Sequence, residues 1–291
     1  MNDIIEQVAR KALAGEKAGA LSFVKFNTEG SPMRRYRKVL FFCFVAGGSE
    51  PHVCIKTVRA VRDNETVAEG FEKLQALNAL AAEAKCAALF PAALLLTEVD
   101  GFAYSVERAA SGAHPGPEDA DRVISAYTEF QRGLASHKKL VDRRQAGEKL
   151  ISQLDITNDT RHTLQTEWAD LISSASGNIA LMPQHGDFTS DNVLVGKRGT
   201  TLVDCDSFMP EAVAGSDLFH FLRRAPQARS NFVAYMAAYR TALGEDPKFD
   251  RSDLFLWILT DALVKQEQGA PRELAETLPA EVKKMQDEFS L

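Results

Sequence analysis

The segment 185–192 reads His-Gly-Asp-Phe-Thr-Ser-Asp-Asn, and Asp204 follows Asn192 by twelve residues, within Val203-Asp204-Cys205-Asp206. Transfer of a phosphoryl group requires a carboxylate to orient and deprotonate the attacking hydroxyl. It also requires hard oxygen ligands for magnesium at the phosphates, and a cation to hold the nucleotide. Asp187 follows Gly186, where glycine lets the backbone turn sharply, and is the candidate base. Asn192 offers a neutral amide oxygen and Asp204 a carboxylate, so both are candidate magnesium ligands. A lone Asp in a loop, or Asp191-Asn192 alone, reads as a turn. The joint spacing does not: it supplies one base and two hard oxygens on one short stretch of chain.

These residues need a scaffold, and the pattern around them predicts a small hairpin. Two short β-like pieces, 192–195 and 200–204, are separated by Gly-Lys-Arg-Gly, which brings Asn192 and Asp204 together. The flanking sequence is helical in period: 119–136 with Val123, Ile124, Tyr127 and Phe130, then Leu164, Trp168, Leu171 and Ile172, then 217–243, 253–265 and the charged 281–289. The first third reads differently. Segments 20–27, 38–45 and 52–57 are predicted strands of an antiparallel meander, 65–85 an amphipathic helix, and 92–98 with 102–107 a strand pair about Asp100-Gly101. The breakers of 111–117, Ser-Gly-Ala-His-Pro-Gly-Pro, divide the chain into 1–110, a sheet with one helix, and 111–291, mainly helical.

The stretch 185–195, the strand 201–208 and Gly215-Ser216-Asp217-Leu218 together resemble the aminoglycoside phosphotransferase and choline kinase family. Its members carry HGDxxxxN, then an acidic strand end, then an Asp-Leu helix start. The resemblance implies an α+β, bilobal protein-kinase-like fold. Its N-lobe, 1–110, would be a small antiparallel β-sheet with one helix that binds nucleotide; its C-lobe, 111–291, would be larger, mainly helical, and carry the catalytic hairpin and acceptor pocket. By that resemblance Asp187 is the catalytic base, Asn192 and Asp204 hold magnesium, and Asp206 either binds metal or supports the loop. Asp217 and His185 would brace the catalytic loop. Cys205 stands where the family usually has Trp, and Ser190-Asp191 replaces a more common pair; neither removes an essential oxygen.

The resemblance also demands a lysine on the third strand, paired with a glutamate on the following helix. Lys56 in Val53-Cys54-Ile55-Lys56 fits the first role; Glu72, with Glu69 as the other candidate, fits the second. The loop 27–37 takes the place of a phosphate-covering loop, with Arg35 among its arginines as a phosphate contact, although it has no glycine-rich motif. Segment 102–108 resembles the hinge strand. ATP, with GTP as the other option, and Mg2+ are the implied cofactors.

Composition bounds the remainder. A formal net charge of -6 argues against the basic surface that nucleic-acid binding normally needs, unless a local patch overrides the total. No long apolar run predicts a membrane span, and the N-terminus lacks a signal-peptide pattern. The four scattered cysteines read as reduced core residues, so a cytoplasmic protein is expected. The acceptor stays open among a sugar, an aminoglycoside-like molecule and an amino alcohol. Asp253, Asp261, Glu267, Glu281, Asp287 and Glu288 could answer a polycation, and Trp257, Phe255 and Tyr235 a quaternary ammonium. The competing function is a catalytically silent kinase-like protein that binds nucleotide or a partner. A protein kinase is disfavoured because Asp217 arrives thirteen residues after Asp204, leaving no long activation loop. Oligomeric state is not legible.

Overall fold

A computed structural model describes residues 2–16, 19–27, 38–174, 177–197 and 199–289. They fall into two compact units. The first gathers the described residues of Met1–Ala82 with Cys86–His114 and Asn192–Asp206; the second holds Glu83–Lys85, Pro115–Asp191 and Ser207–Leu291. Among the described residues no helix is long and apolar enough to cross a membrane.

The first unit begins with helix α1 (Asn2–Ala12) and strands β1 (Leu21–Asn27), β2 (Lys38–Val45) and β3 (Val53–Val58). Helix α2 (Asn64–Glu83) and strands β4 (Ala93–Val99) and β5 (Phe102–Arg108) follow. The expected meander and strand pair form one antiparallel sheet, in the order β1-β2-β3-β5-β4. The join is β3 on β5, where Cys54 faces Glu107 and Lys56 faces Ser105. Because side chains alternate along a strand, the two faces of this sheet differ in chemistry. Val39, Phe41, Cys43, Val53, Ile55, Tyr104 and Val106 form one buried cluster with Ile5, Val8, Ala9 and Leu13 of α1 and its end. By the same alternation Lys38, Lys56 and Glu107 share the opposite face, where Val58 and Ala103 meet Val67 of α2.

The hairpin is also part of this unit. Strands β8 (Val193–Gly196) and β9 (Gly199–Leu202) pair with Val193 opposite Leu202. Backbone bonds in both directions between Ala113 and Val195, at 3.1 and 2.8 Å, attach it to the end of the Cys86–His114 segment.

The second unit holds helices α3 (Ala120–Gly133), α4 (Arg143–Gln153), α5 (Asn158–Ser174), α6 (Ser216–Arg224), α7 (Pro226–Arg229), α8 (Phe232–Ala242), α9 (Arg251–Glu267), α10 (Arg272–Ala275) and α11 (Leu278–Glu288). It also contains a sheet that the sequence reading lacked: β6 (Lys139–Asp142), β7 (Asn178–Gln184) and β10 (Met209–Val213), ordered β10-β7-β6. The expected helix over 217–243 is broken between α6 and α8, at Ala225-Pro226, because proline cannot continue a helix begun upstream. The core is aromatic: Trp168 stacks on Phe255 at 5.3 Å, Phe219 on Trp257 at 5.8 Å, and Phe232 meets Phe219 edge-on. Helix α9 is buried from Ser252 to Ala262, which fits its uninterrupted apolar run over 254–259.

Candidate active site

Each unit holds a group of the candidate side chains. In the second unit the candidate catalytic loop follows β7. Gly186 has φ +87°, and a Cβ there would fall 1.9 Å from the carbonyl oxygen of Ser207, so only glycine fits. The backbone N–H groups of His185 and Gly186 donate to the two oxygens of Asp217, at 2.5 and 2.9 Å. The Tyr127 hydroxyl donates to the same carboxylate at 2.6 Å; burial first, and then Asp217, push its pKa well up. His185, fully buried, accepts at Nδ1 from the Asp187 N–H at 3.3 Å. Phe188 is stacked between Tyr127 at 4.5 Å and Phe221 at 4.7 Å, each contact contributing about 1 kcal/mol. These bonds fix the backbone on both sides of Asp187, whose carboxyl stays partly accessible. His220 on α6 lies against it, Nε2 to Oδ1 at 3.8 Å.

In the first unit Asn192 ends the short turn Ser190–Asn192 and its carbonyl accepts from the N–H of Val203 at 2.9 Å. That bond extends the β8–β9 pairing by one step and brings Asn192 opposite the residue before Asp204. Asp204 has φ +59°, a left-handed conformation that Asp tolerates better than most residues but that still carries strain. Strain of this kind concentrates at functional positions.

Lys56 is nearly buried and its Nζ lies 2.8 Å from Glu107 Oε2. Burial opposes its charge, yet the carboxylates of Glu107, Asp206 and Asp204 raise its pKa well above the usual value. Asp206 is the hub of this group. Lys38 Nζ is bonded to its carboxylate, and Lys73 of α2 donates to its backbone carbonyl at 2.8 Å. Although burial would raise it, Lys38 and Lys56 hold the Asp206 carboxyl far below the ordinary range. Gly70 of α2 makes room for it, since a Cβ there would lie 2.6 Å from Asp206 Oδ1.

The helix partner expected for Lys56 is therefore not the one found. Val67, Phe71, Leu74 and Leu77 set the buried face of α2, and Gly70 and Lys73 approach Asp206. At 3.6 residues per turn this rotates Glu69 and Glu72 outward, and both are exposed. Glu107 stands in their place because it is the diagonal neighbour of Lys56 across the β3–β5 ladder. Arg35 lies outside the described residues.

No group of three or more His, Cys, Asp or Glu side chains that could hold a metal occurs among the described residues. Asn192 and Asp204 still fit magnesium. They are hard oxygen donors on neighbouring strand ends, and that ion is usually held by one or two protein carboxylates with substrate phosphates and water. Asp206 fits less well, its carboxylate being engaged by Lys38.

Solved structures resemble this arrangement of elements. The amicoumacin kinase hAmiN, in complex with AMP-PNP, Ca2+ and amicoumacin, matches over 96% of this chain and 93% of its own, at TM-score 0.54 and 13% identity. A putative fructosamine-3-kinase of Haemophilus somnus matches over 94% and 96%, at 0.52 and 12% identity. An aminoglycoside phosphotransferase of Streptomyces rimosus, with ADP and streptomycin, matches over 91% and 99%, at 0.50 and 13% identity. The chain has their fold. No protein-family model matches it, and no curated protein does.

Within this kinase-like fold, most of the side chains considered for the acceptor are engaged elsewhere. Asp253 is buried between Arg143 at 3.1 Å and Arg240 at 3.4 Å. Asp261 is buried against His220, Lys265 at 2.6 Å and Arg223 at 3.5 Å. Glu281 pairs with Arg223 and Glu288 with Arg229, while Glu267 and Asp287 are exposed. Phe255 is a core residue, as is Trp257, whose indole N–H donates to the Ala214 carbonyl at 2.9 Å; the Tyr235 hydroxyl donates to Asp121. These three do not form an aromatic cage.

The sequence reading missed Glu107, Lys38, Lys73 and His220. The first two share the Lys56 face, a relation that needs the strand pairing; Lys73 needs the turn of α2. His220 carried a visible signal: a histidine flanked by Phe219 and Phe221, three residues after Asp217.

Proposed function

We propose that this protein is an ATP-dependent phosphotransferase that moves the γ-phosphoryl group to a hydroxyl of a small molecule. The observation that carries the reading is the hairpin bond from Val203 to Asn192, which sets the two oxygen donors at adjoining strand ends. The fold shared with small-molecule kinases agrees with it.

In this reading Asp187 accepts the proton of the acceptor hydroxyl as that oxygen bonds to the γ-phosphorus and the bond from phosphorus to the bridging oxygen breaks, releasing ADP. Asn192 and Asp204 would hold Mg2+, which would supply charge neutralisation at the phosphates. Lys56, kept charged and oriented by Glu107, binds the phosphates of the nucleotide. ATP is taken as the donor over GTP because the structures of similar fold carry AMP-PNP or ADP. Residues 1–110 serve the nucleotide and 111–291 the catalytic loop and acceptor, with the hairpin as the later stretch that the nucleotide side takes in. The engaged acids and buried aromatics argue for a neutral acceptor such as a sugar over a polycation or a quaternary amine.

One observation favours the silent, nucleotide-binding alternative: Lys56 has no glutamate partner from α2. A panel of sugars, aminoglycosides and amino alcohols, each with ATP and Mg2+, separates the two. ADP release above the acceptor-free rate, abolished by EDTA and largest for a neutral sugar, is expected. Nucleotide binding without turnover across the panel supports the silent alternative, and absence of MgATP binding overturns both.

A further inference from the structure

His220 is 6% exposed and its two ring nitrogens meet different groups. Nδ1 is bonded to Asp261 Oδ1, and Asp261 is itself 6% exposed. Burial works against the Asp261 charge, but His220, Lys265 and Arg223 hold its carboxyl well below the usual range. An ionised carboxylate on Nδ1 requires that nitrogen to carry a proton. Nε2 is thereby left to the opposite side. It is buried, has no hydrogen-bond partner, and faces Asp187 Oδ1 at 3.8 Å. Buried polar atoms are almost always paired, so an unpaired nitrogen beside a candidate base calls for a reason.

We infer that His220, braced by Asp261, is a positioning residue for Asp187. This rests on the reading of Asp187 as the base. A shift of under 1 Å turns the 3.8 Å approach into a hydrogen bond, and catalytic hydrogen bonds are commonly long before substrate arrives. While Asp187 is ionised, protonated Nε2 donates to Oδ1 and turns Oδ2 toward the acceptor. When Asp187 has taken the acceptor's proton on Oδ2, the Nε2–H still donates to Oδ1, so the imidazole keeps its proton throughout. The bond persists in both states and the carboxyl group does not rotate during the transfer. Nothing in this scheme requires His220 to touch acceptor or nucleotide.

The two amide side chains separate this role from simple packing, because asparagine reproduces the reach of Nδ1 and glutamine that of Nε2. His220→Asn keeps the bond to Asp261 and loses Asp187; His220→Gln keeps a donor toward Asp187. Magnesium-dependent ADP release from ATP, with the best acceptor of the panel or water alone, gives kcat and the KM for ATP. His220→Asn is expected to lower kcat by about tenfold or more while KM stays within about twofold. His220→Gln is expected within about threefold of the wild type, and the melting temperatures of the two variants should agree. Any other ranking, including equal losses, overturns the inference. An activity-free measurement accompanies it: the 15N shift of His220 Nε2 should move in Asp187→Asn, and an unmoved resonance overturns the proposal equally. A wild type that binds MgATP but never turns it over removes the underlying reading, and is distinct from an active wild type whose His220 variants are indistinguishable.

Discussion

A lysine on a buried strand can find its carboxylate on a packed helix or on the neighbouring strand. In Lys56 the strand prevails: Glu107 is one diagonal step away across the ladder, whereas α2 turns Glu69 and Glu72 outward. Removing one partner of a buried pair leaves an uncompensated charge, at a cost of roughly 3 kcal/mol. Glu107→Gln should therefore lower stability by about that amount and raise the KM for ATP about tenfold, while Glu69→Ala and Glu72→Ala stay within twofold of the wild type in both. Chemical denaturation and steady-state kinetics on the three variants check this. Asp187, Asn192 and Asp204 are legible in the sequence as candidates because the roles proposed for them depend on spacing along one short segment. Glu107 and His220 are not, since each meets its partner, Lys56 or Asp187, only across a long separation in sequence.

At the scale of elements, strong local patterns came through. Strands β1 to β5 and helix α2 lie where alternation and helical period put them. The sheet of β6, β7 and β10 did not, for physical reasons. β6 has four residues, while Pro183 in β7 and Pro210 in β10 interrupt the patterns by which strands are recognised. Helix α1 is an amphipathic element with an added tether. Just past its end, Glu16 bonds Arg108 of β5 at 2.5 Å and His52 at 2.6 Å. The hydrogen bonds from Arg108 and His52 lower the Glu16 pKa from 4.5 to about 2. A lowered folded-state pKa stabilises above the unfolded value, and that gain disappears as pH falls through the folded one. The melting temperature of Glu16→Gln should thus lie about 2 °C below wild type at pH 6, with the gap closing between pH 4.5 and 2. A gap that is constant with pH would show the contact to be steric.

For the whole molecule, the unit boundaries ignore chain order. The hairpin Asn192–Asp206 belongs with a unit built from the first 114 residues, tied there by backbone bonds between Val195 and Ala113. Backbone pairing of this sort leaves no side-chain pattern, and so the sequence divides the chain at 110/111 and leaves the hairpin with the later part. The acceptor was likewise illegible, because acidic and aromatic residues on a helix read the same whether they line a pocket or hold a core. Asp261 and Trp257 hold the interior. Calorimetry of MgATP binding beside ADP release should find that Asp187→Asn binds MgATP within about threefold of the wild type and turns it over about a thousandfold more slowly. Turnover undiminished in Asp187→Asn, at equal nucleotide affinity, would contradict the account.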